Sequence, residues 1–184
     1  PIKVLDRRGS EREKATLELG EGARVLALTP GFEWSTSQVI WADTTGTLYS
    51  AALNSTPKAL SGPGTNQLGE MADDGIQDIV QVKSDSVLVS HSGKEVWSRS
   101  FGALLHPEVE RYKLSLGTVY GVVIPEREQI TLIDATGREV DGLPVRGNTP
   151  FRIADLDLDG TLELVTVTSD GHVVAYNVLP STAK

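Results

Sequence analysis

The sequence repeats itself, and the period of the repeat limits what the chain can fold into. Glu70 to His91 lies over Asp155 to Tyr176 at a constant offset of 85, pairing Gly75 with Gly160, Asp78 with Glu163 and Ser84-Asp85 with Ser169-Asp170. Gln38 to Ala51 lies over Glu163 to Tyr176 at an offset of 125, which brings Gly46 onto Gly171. Ile2 to Asp6 with Gly9 lies over Ile130 to Asp134 with Gly137 at 128, and Ser92 to Val96 lies over Thr136 to Val140 at 44. These offsets are near one, two and three multiples of about 42 residues, the length of one four-stranded propeller blade.

Inside each unit the hydrophobic period is two. Val39-Ile40-Trp41, Ile79-Val80-Gln81-Val82, Ile130-Thr131-Leu132-Ile133 and Leu164-Val165-Thr166-Val167 are rich in β-branched residues and bounded by turn formers. The expected fold is all-β and propeller-like, with about four blade-sized repeats in a single domain over 1–184. The units run from 23 to 60, 65 to 105, 108 to 147 and 149 to 178, and residues 1–20 match the last two strands of a preceding unit. Glu11 to Leu19 has helical composition, yet Ala15, Leu17 and Leu19 also alternate, so helix and strand both remain open there. Thr45-Gly46 and Asp170-Gly171 read as two-residue hairpin turns. The chain opens at Pro1 in mid-unit, which suggests a piece of a longer protein.

Composition removes several classes of function. With 184 residues, a net charge of −8 and a pI near 4.9, the chain lacks the basic footprint of a nucleic-acid binder. It has no cysteine, which excludes disulfides, thiol catalysis and Cys-ligated zinc or iron–sulfur centres. Its apolar runs are strand-sized, so no transmembrane helix is expected, and no signal peptide is recognisable at the start. No P-loop, Gly-x-Ser-x-Gly elbow or Gly-x-Gly-x-x-Gly occurs.

Asp-Gly-x-x-Asp-Ile-Val at 74 to 80 and Asp-x-Asp-Gly-x-x-Glu-Leu-Val at 157 to 165 resemble the FG-GAP type of β-propeller repeat. The strand followed by an Asp-x-x-Gly-x-Glu turn is similar to PQQ-type propeller blades. The resemblance implies a propeller fold, and it implies an activity only weakly.

Asp155-Leu156-Asp157-Leu158-Asp159-Gly160-Thr161-Leu162-Glu163 carries the strongest chemical signal. Calcium needs hard oxygen ligands converging from alternate residues around a sharp Gly turn. Asp155, Asp157 and Asp159 fill positions one, three and five; Gly160 is sixth, Thr161 offers its carbonyl at seven and Glu163 its carboxylate at nine. An EF-hand is excluded, because position twelve is Thr166 and the flanks read as strands. The calcium loop of FG-GAP-like repeats fits instead, with Ca2+ preferred over magnesium. An acidic turn without a metal is the plainer alternative. The related loop at Glu70–Asp78 has Ala72 in place of the second ligand, Pro30 to Gln38 keeps only Glu33, and Leu114 to Tyr120 keeps no acid. One site braced by metal is therefore expected rather than chemistry repeated in every unit.

Other candidates are weaker. His91, His106 and His172 fall at different places in their units, which argues against a shared metal triad. Trp41 reads as core, and Trp97 as a packing residue like that of PQQ-type blades. Trp34 with Phe32 lies in a loop, either folded back over its blade or exposed to a protein or carbohydrate partner. Asn54-Ser55-Thr56 is a glycosylation sequon. The expected function is a calcium-braced interaction scaffold within a larger, extracytoplasmic bacterial protein, without catalytic residues. The alternative is a domain of a propeller enzyme, of lyase, hydrolase or quinone-dependent dehydrogenase type.

Overall fold

A computed structural model describes residues 2–5, 8, 10–29, 37–53, 55–69, 78–91 and 93–179. The strands are β1 (Ile2–Leu5), β2 (Glu11–Leu17), β3 (Arg24–Thr29), β4 (Gln38–Ala42), β5 (Leu48–Ala52), β6 (Lys58–Ala59), β7 (Thr65–Gly69), β8 (Asp78–Lys83) and β9 (Ser86–His91). They continue as β10 (Lys94–Ser100), β11 (Glu110–Leu114), β12 (Gly117–Ile124), β13 (Gln129–Asp134), β14 (Val145–Arg146), β15 (Arg152–Ala154), β16 (Leu162–Val167) and β17 (Val173–Leu179). The fold is all-β. Among the described residues the one helical element is a 3-10 turn, Pro125–Arg127, between β12 and β13. Over Glu11–Leu17 the alternation prevails: β2 pairs with β1 in the register Ile2↔Leu17, and long-range pairing overrides helical composition.

The strands form five sheets, and in each the strands pair in sequence order: β1-β2, β3 to β6, β7 to β10, β11 to β14, and β15 to β17. The chain divides into two compact units, 1–81 with 90–94, and 82–89 with 95–184. In the first unit, β4 is covered on both faces. Val39 and Trp41 point with Ala51 and Leu53 toward Leu17, and Trp41 stacks on Tyr49 at 5.7 Å between ring centroids. Ala42 and Leu48 face the other way and pack on Ile79.

The second unit follows the same rule. In β12 and β13 the pairs Tyr120↔Ile133 and Val122↔Thr131 alternate with Gly121↔Leu132 and Val123↔Ile130. Tyr120 meets Trp97 edge-on at 5.5 Å. The alternate set, Val123, Ile130 and Leu132, packs on Phe151 and Leu164. Gly121 is required there, because a Cβ would lie 2.0 Å from Cζ of Phe151. Trp41, expected in the core from its alternating strand, and Trp97, expected as a packing residue, are both buried.

The turns correct one expectation. Thr45-Gly46 and Asp170-Gly171 do not form two-residue hairpins. Gly46 N donates to the Asp43 carbonyl (3.1 Å) and Asp43 N to Thr47 (3.0 Å); Gly171 N donates to Thr168 and Thr168 N to His172, both at 2.9 Å. Each is a three-residue loop in which Gly, at φ +83°, is the left-handed residue closing a turn rather than the centre of a type I′ turn. The same pattern closes Asp134–Arg138. Side chains select it. Asp134 Oδ1 accepts from Thr136 N (2.8 Å), Thr136 Oγ1 (2.7 Å) and Arg138 N (3.0 Å), and Asp43 does the same with Thr45 and Thr47. The Thr45 hydroxyl, chiefly, holds the Asp43 carboxyl below its ordinary range. At Asp134 partial desolvation pushes upward, but the donors from Thr136 and Arg138 outweigh it and the carboxyl is again lowered.

Glu128, the residue after the 3-10 turn, is left-handed at φ +50°. Its carboxylate accepts from Arg146 Nε (2.9 Å) and from the Ser169 hydroxyl, so it ties β14 to the turn before β17.

Candidate metal centre

Strands β15 and β16 pair antiparallel, with Ala154 opposite Glu163, and residues 155–161 form the loop at the end of this hairpin. Three aspartates in five residues resist strand formation, and Gly160 at φ +88° turns the chain back. Leu158 is also left-handed, at φ +63°. Alternation then sorts the loop. One carboxylate oxygen each from Asp155, Asp157 and Asp159 lies within 4.8 Å of the others, while Leu156 and Leu158 project outward, 55% and 86% exposed.

Backbone donors hold the carboxylates in this arrangement. Gly160 N donates to Asp155 Oδ2 (3.0 Å), Asp159 N to Asp157 Oδ1 (3.2 Å) and Thr161 N to Asp159 Oδ1 (2.6 Å). Glu163 Oε2 accepts from Leu156 N at 2.9 Å, closing the loop across its neck. Bonding from the Thr161 backbone and then its hydroxyl holds the Asp159 carboxyl below its ordinary value, so its charged form is favoured. Unit charges about 4 Å apart repel by about 1 kcal/mol per pair even in water. Asp155 Oδ1 is buried and has no hydrogen-bond partner among the described residues. Buried carboxylate oxygens are rarely left this way unless a water or an ion meets them.

The sequence-predicted ligands are therefore grouped unevenly. Asp155, Asp157 and Asp159 converge, Thr161 anchors Asp159 through its N–H, and Glu163 stands at the neck beside Leu156. Among the described residues this is the one cluster of three or more His, Asp or Glu side chains placed to share an ion. The loops at Glu70–Asp78 and Pro30–Gln38 lie outside the described residues except for their last positions, and Trp34, Phe32 and Asn54 lie outside them too.

Asp78 is described, and it shows what the motif reading missed. Its carboxylate is buried, 1% exposed, with Oδ1 at 2.6 Å from His91 Nδ1. Asp78 stands six residues before Ser84 and His91 six after Asp85, so a hairpin closing at Ser84-Asp85 sets them opposite each other. Counting outward from that turn was the signal available. The equivalent of ligand position nine is thus engaged by an imidazole in this repeat. The other two histidines also have local partners: His106 Nδ1 accepts from Glu108 N (3.2 Å), and His172 Nδ1 lies 3.2 Å from Asp170 Oδ2.

No helix among the described residues is long and apolar enough to cross a membrane. No protein-family model and no curated protein matches the chain. Among solved structures it is similar to the crystal structure of a protein of unknown function from Bacteroides caccae. Identity is 12% and the TM-score 0.45, over 96% of this chain and 70% of that one.

Proposed function

We propose that the chain is a calcium-braced, propeller-like scaffold whose rigid loop surface serves interaction within a larger extracytoplasmic protein. The observation that carries the metal reading is Asp155 Oδ1: a buried carboxylate oxygen, unpartnered among the described residues, beside two further carboxylates held in place by backbone donors. The donor set suits a hard cation. It consists of carboxylate oxygens, with the Thr161 carbonyl and Glu163 as the further ligands that the loop spacing supplies, and contains no nitrogen or sulfur. Bound calcium would supply two positive charges against the mutual repulsion of the loop. The protein's own part is to pre-position the oxygens, which the N–H groups of Asp159, Gly160 and Thr161 do. A surface loop of this kind belongs to the weaker, extracellular range of calcium sites, with Kd on the order of 10⁻⁴–10⁻³ M.

The propeller-like reading is supported by the repeat. The sheets span 24–59, 65–100, 110–146 and 152–179, the first three within one repeat unit each and the last running one residue past the fourth, and the β1-β2 hairpin falls within the partial unit. The resemblance of 74–80 and 157–165 to FG-GAP repeats points the same way. Calorimetric titration with calcium tests the metal: one site per chain is expected, absent from Asp157→Ala. No heat with calcium at millimolar concentrations, or equal heat with Asp157→Ala, overturns it.

A further inference from the structure

In each described case the apolar face of a sheet is covered by the sheet next in sequence. Leu17 of β2 packs on Val39, Trp41 and Ala51; Ala42 and Leu48 pack on Ile79; Trp97 meets Tyr120; Val123, Ile130 and Leu132 pack on Phe151 and Leu164. The sheet β15 to β17 departs from this pattern. Its inner side chains, Leu164 and partly buried Tyr176, face the β12–β13 core. The outer ones follow from the register, in which Val165 pairs with Ala175 and Val167 with Val173.

Those four positions match, pair for pair, the ones by which β12 and β13 bind β15 to β17. Gly121↔Leu132 becomes Val165↔Ala175, and Val123↔Ile130 becomes Val167↔Val173. Both pairs remain apolar. Yet Ile130 is fully buried, while Val173 is 72% exposed in a groove whose other lining residues are Pro150, Phe151, Arg152, Val165, Thr166 and Val167. A surface valine with nothing on it is ordinary singly, but two adjacent pairs kept apolar at interface positions, between Arg152 and the Glu163↔Asn177 pair, mark a contact face.

We infer that this outer face is a docking surface for a further sheet of the same repeat, following in the same polypeptide. The occupant meets Val165, Val167, Val173 and Ala175 with bulky apolar side chains in the places that Phe151 and Leu164 occupy one sheet earlier. Sequence order points to the source, since among the described residues each covering sheet is the next one along. The inference rests on the repeat reading of the fold and is independent of the cation.

The sequence has no cysteine, so single-cysteine labelling reads the face directly. In the full-length natural polypeptide, otherwise free of cysteine, Val173→Cys is expected to react with maleimide at least about tenfold more slowly than exposed Glu126→Cys. Ala175→Cys, a smaller change, should be protected likewise. Equal rates at 126, 173 and 175 overturn the inference. So does protection that vanishes on dilution, because a second copy would then be the occupant. Rates are taken with calcium and with chelator: protection in both means that a failed metal reading leaves this one standing.

Discussion

Asp134 and Asp155 both open acidic turns in the second unit, yet their carboxylates are satisfied differently. Asp134 gathers three donors onto a single oxygen and needs nothing more. Asp155 receives one N–H on Oδ2, buries Oδ1 without a partner among the described residues and sits beside two more carboxylates. The first arrangement is complete within the chain, and the second leaves acceptor capacity that the proposed cation would fill. An aspartate that shapes a turn and one that awaits a ligand thus differ in their leftover bonding capacity rather than in residue type.

Four experiments press on this contrast, the largest expected effect first. Calcium at about a hundredfold excess over Kd should raise the thermal midpoint by roughly 5–10 °C, with chelator reversing the gain. Asp157→Ala should abolish that response, and Asp134→Ala should leave it intact. Scanning calorimetry checks this, and a calcium shift surviving in Asp157→Ala would erase the distinction.

Next comes Gly137→Ala, expected to cost about 2–3 kcal/mol. A side chain there is strained at φ +86°, and its Cβ would lie 3.0 Å from Trp97. Gly171→Ala, in the same turn type but with nothing within 4 Å, should cost only the backbone strain of about 1–2 kcal/mol. Urea denaturation of the pair separates strain from contact.

Third, Asp134→Ala removes the acceptor for three donors and should cost about 1–2 kcal/mol, unchanged by calcium or chelator. Calcium-dependent destabilisation would show that the turn belongs to the metal loop's equilibrium.

The smallest effect is on pH. The Asp43 and Asp134 carboxyls are lowered in the folded state. Their contribution is therefore fully present above the unfolded value of about 3.9 and is lost as pH falls through the lower folded values. Asp134→Asn should give a shallower fall in melting temperature below about pH 4 than the wild type. An unaltered acid limb, followed by circular dichroism, would contradict the bonding described for this carboxylate.

Much of the fold was legible because its signals are local and repeated. Alternation at Ile130–Ile133 and Leu164–Val167 reports strands without knowledge of partners, and the offsets locate the sheets. The hairpin type was not legible from Thr45-Gly46 alone, since a dipeptide with Gly fits both a type I′ centre and a bulge. Asp43, two residues before Thr45, decides between them by accepting the turn's N–H groups. In the site, the spacing of Asp155, Asp157 and Asp159 carried the convergence. The engagement of Glu163 with Leu156 N did not show, because a carboxylate long enough to reach a metal is also long enough to reach the backbone. The Asp78–His91 pair was hidden differently: it joins a loop motif to a strand residue, and only the hairpin register connects them.

The Glu128 tie bears on how the molecule carries tension. Its carboxylate clasps Arg146 on one side and Ser169 on the other, and those donors, Ser169 first, keep the carboxyl below its ordinary value. Separating the Ser169 turn from β14 has to break this surface clasp, and separating the two sheets has to break the buried Phe151–Gly121 contact as well. A clasp at the surface slackens as ionic strength rises. Salt therefore weakens the surface tie between the last two sheets and leaves the apolar contact beneath it largely untouched.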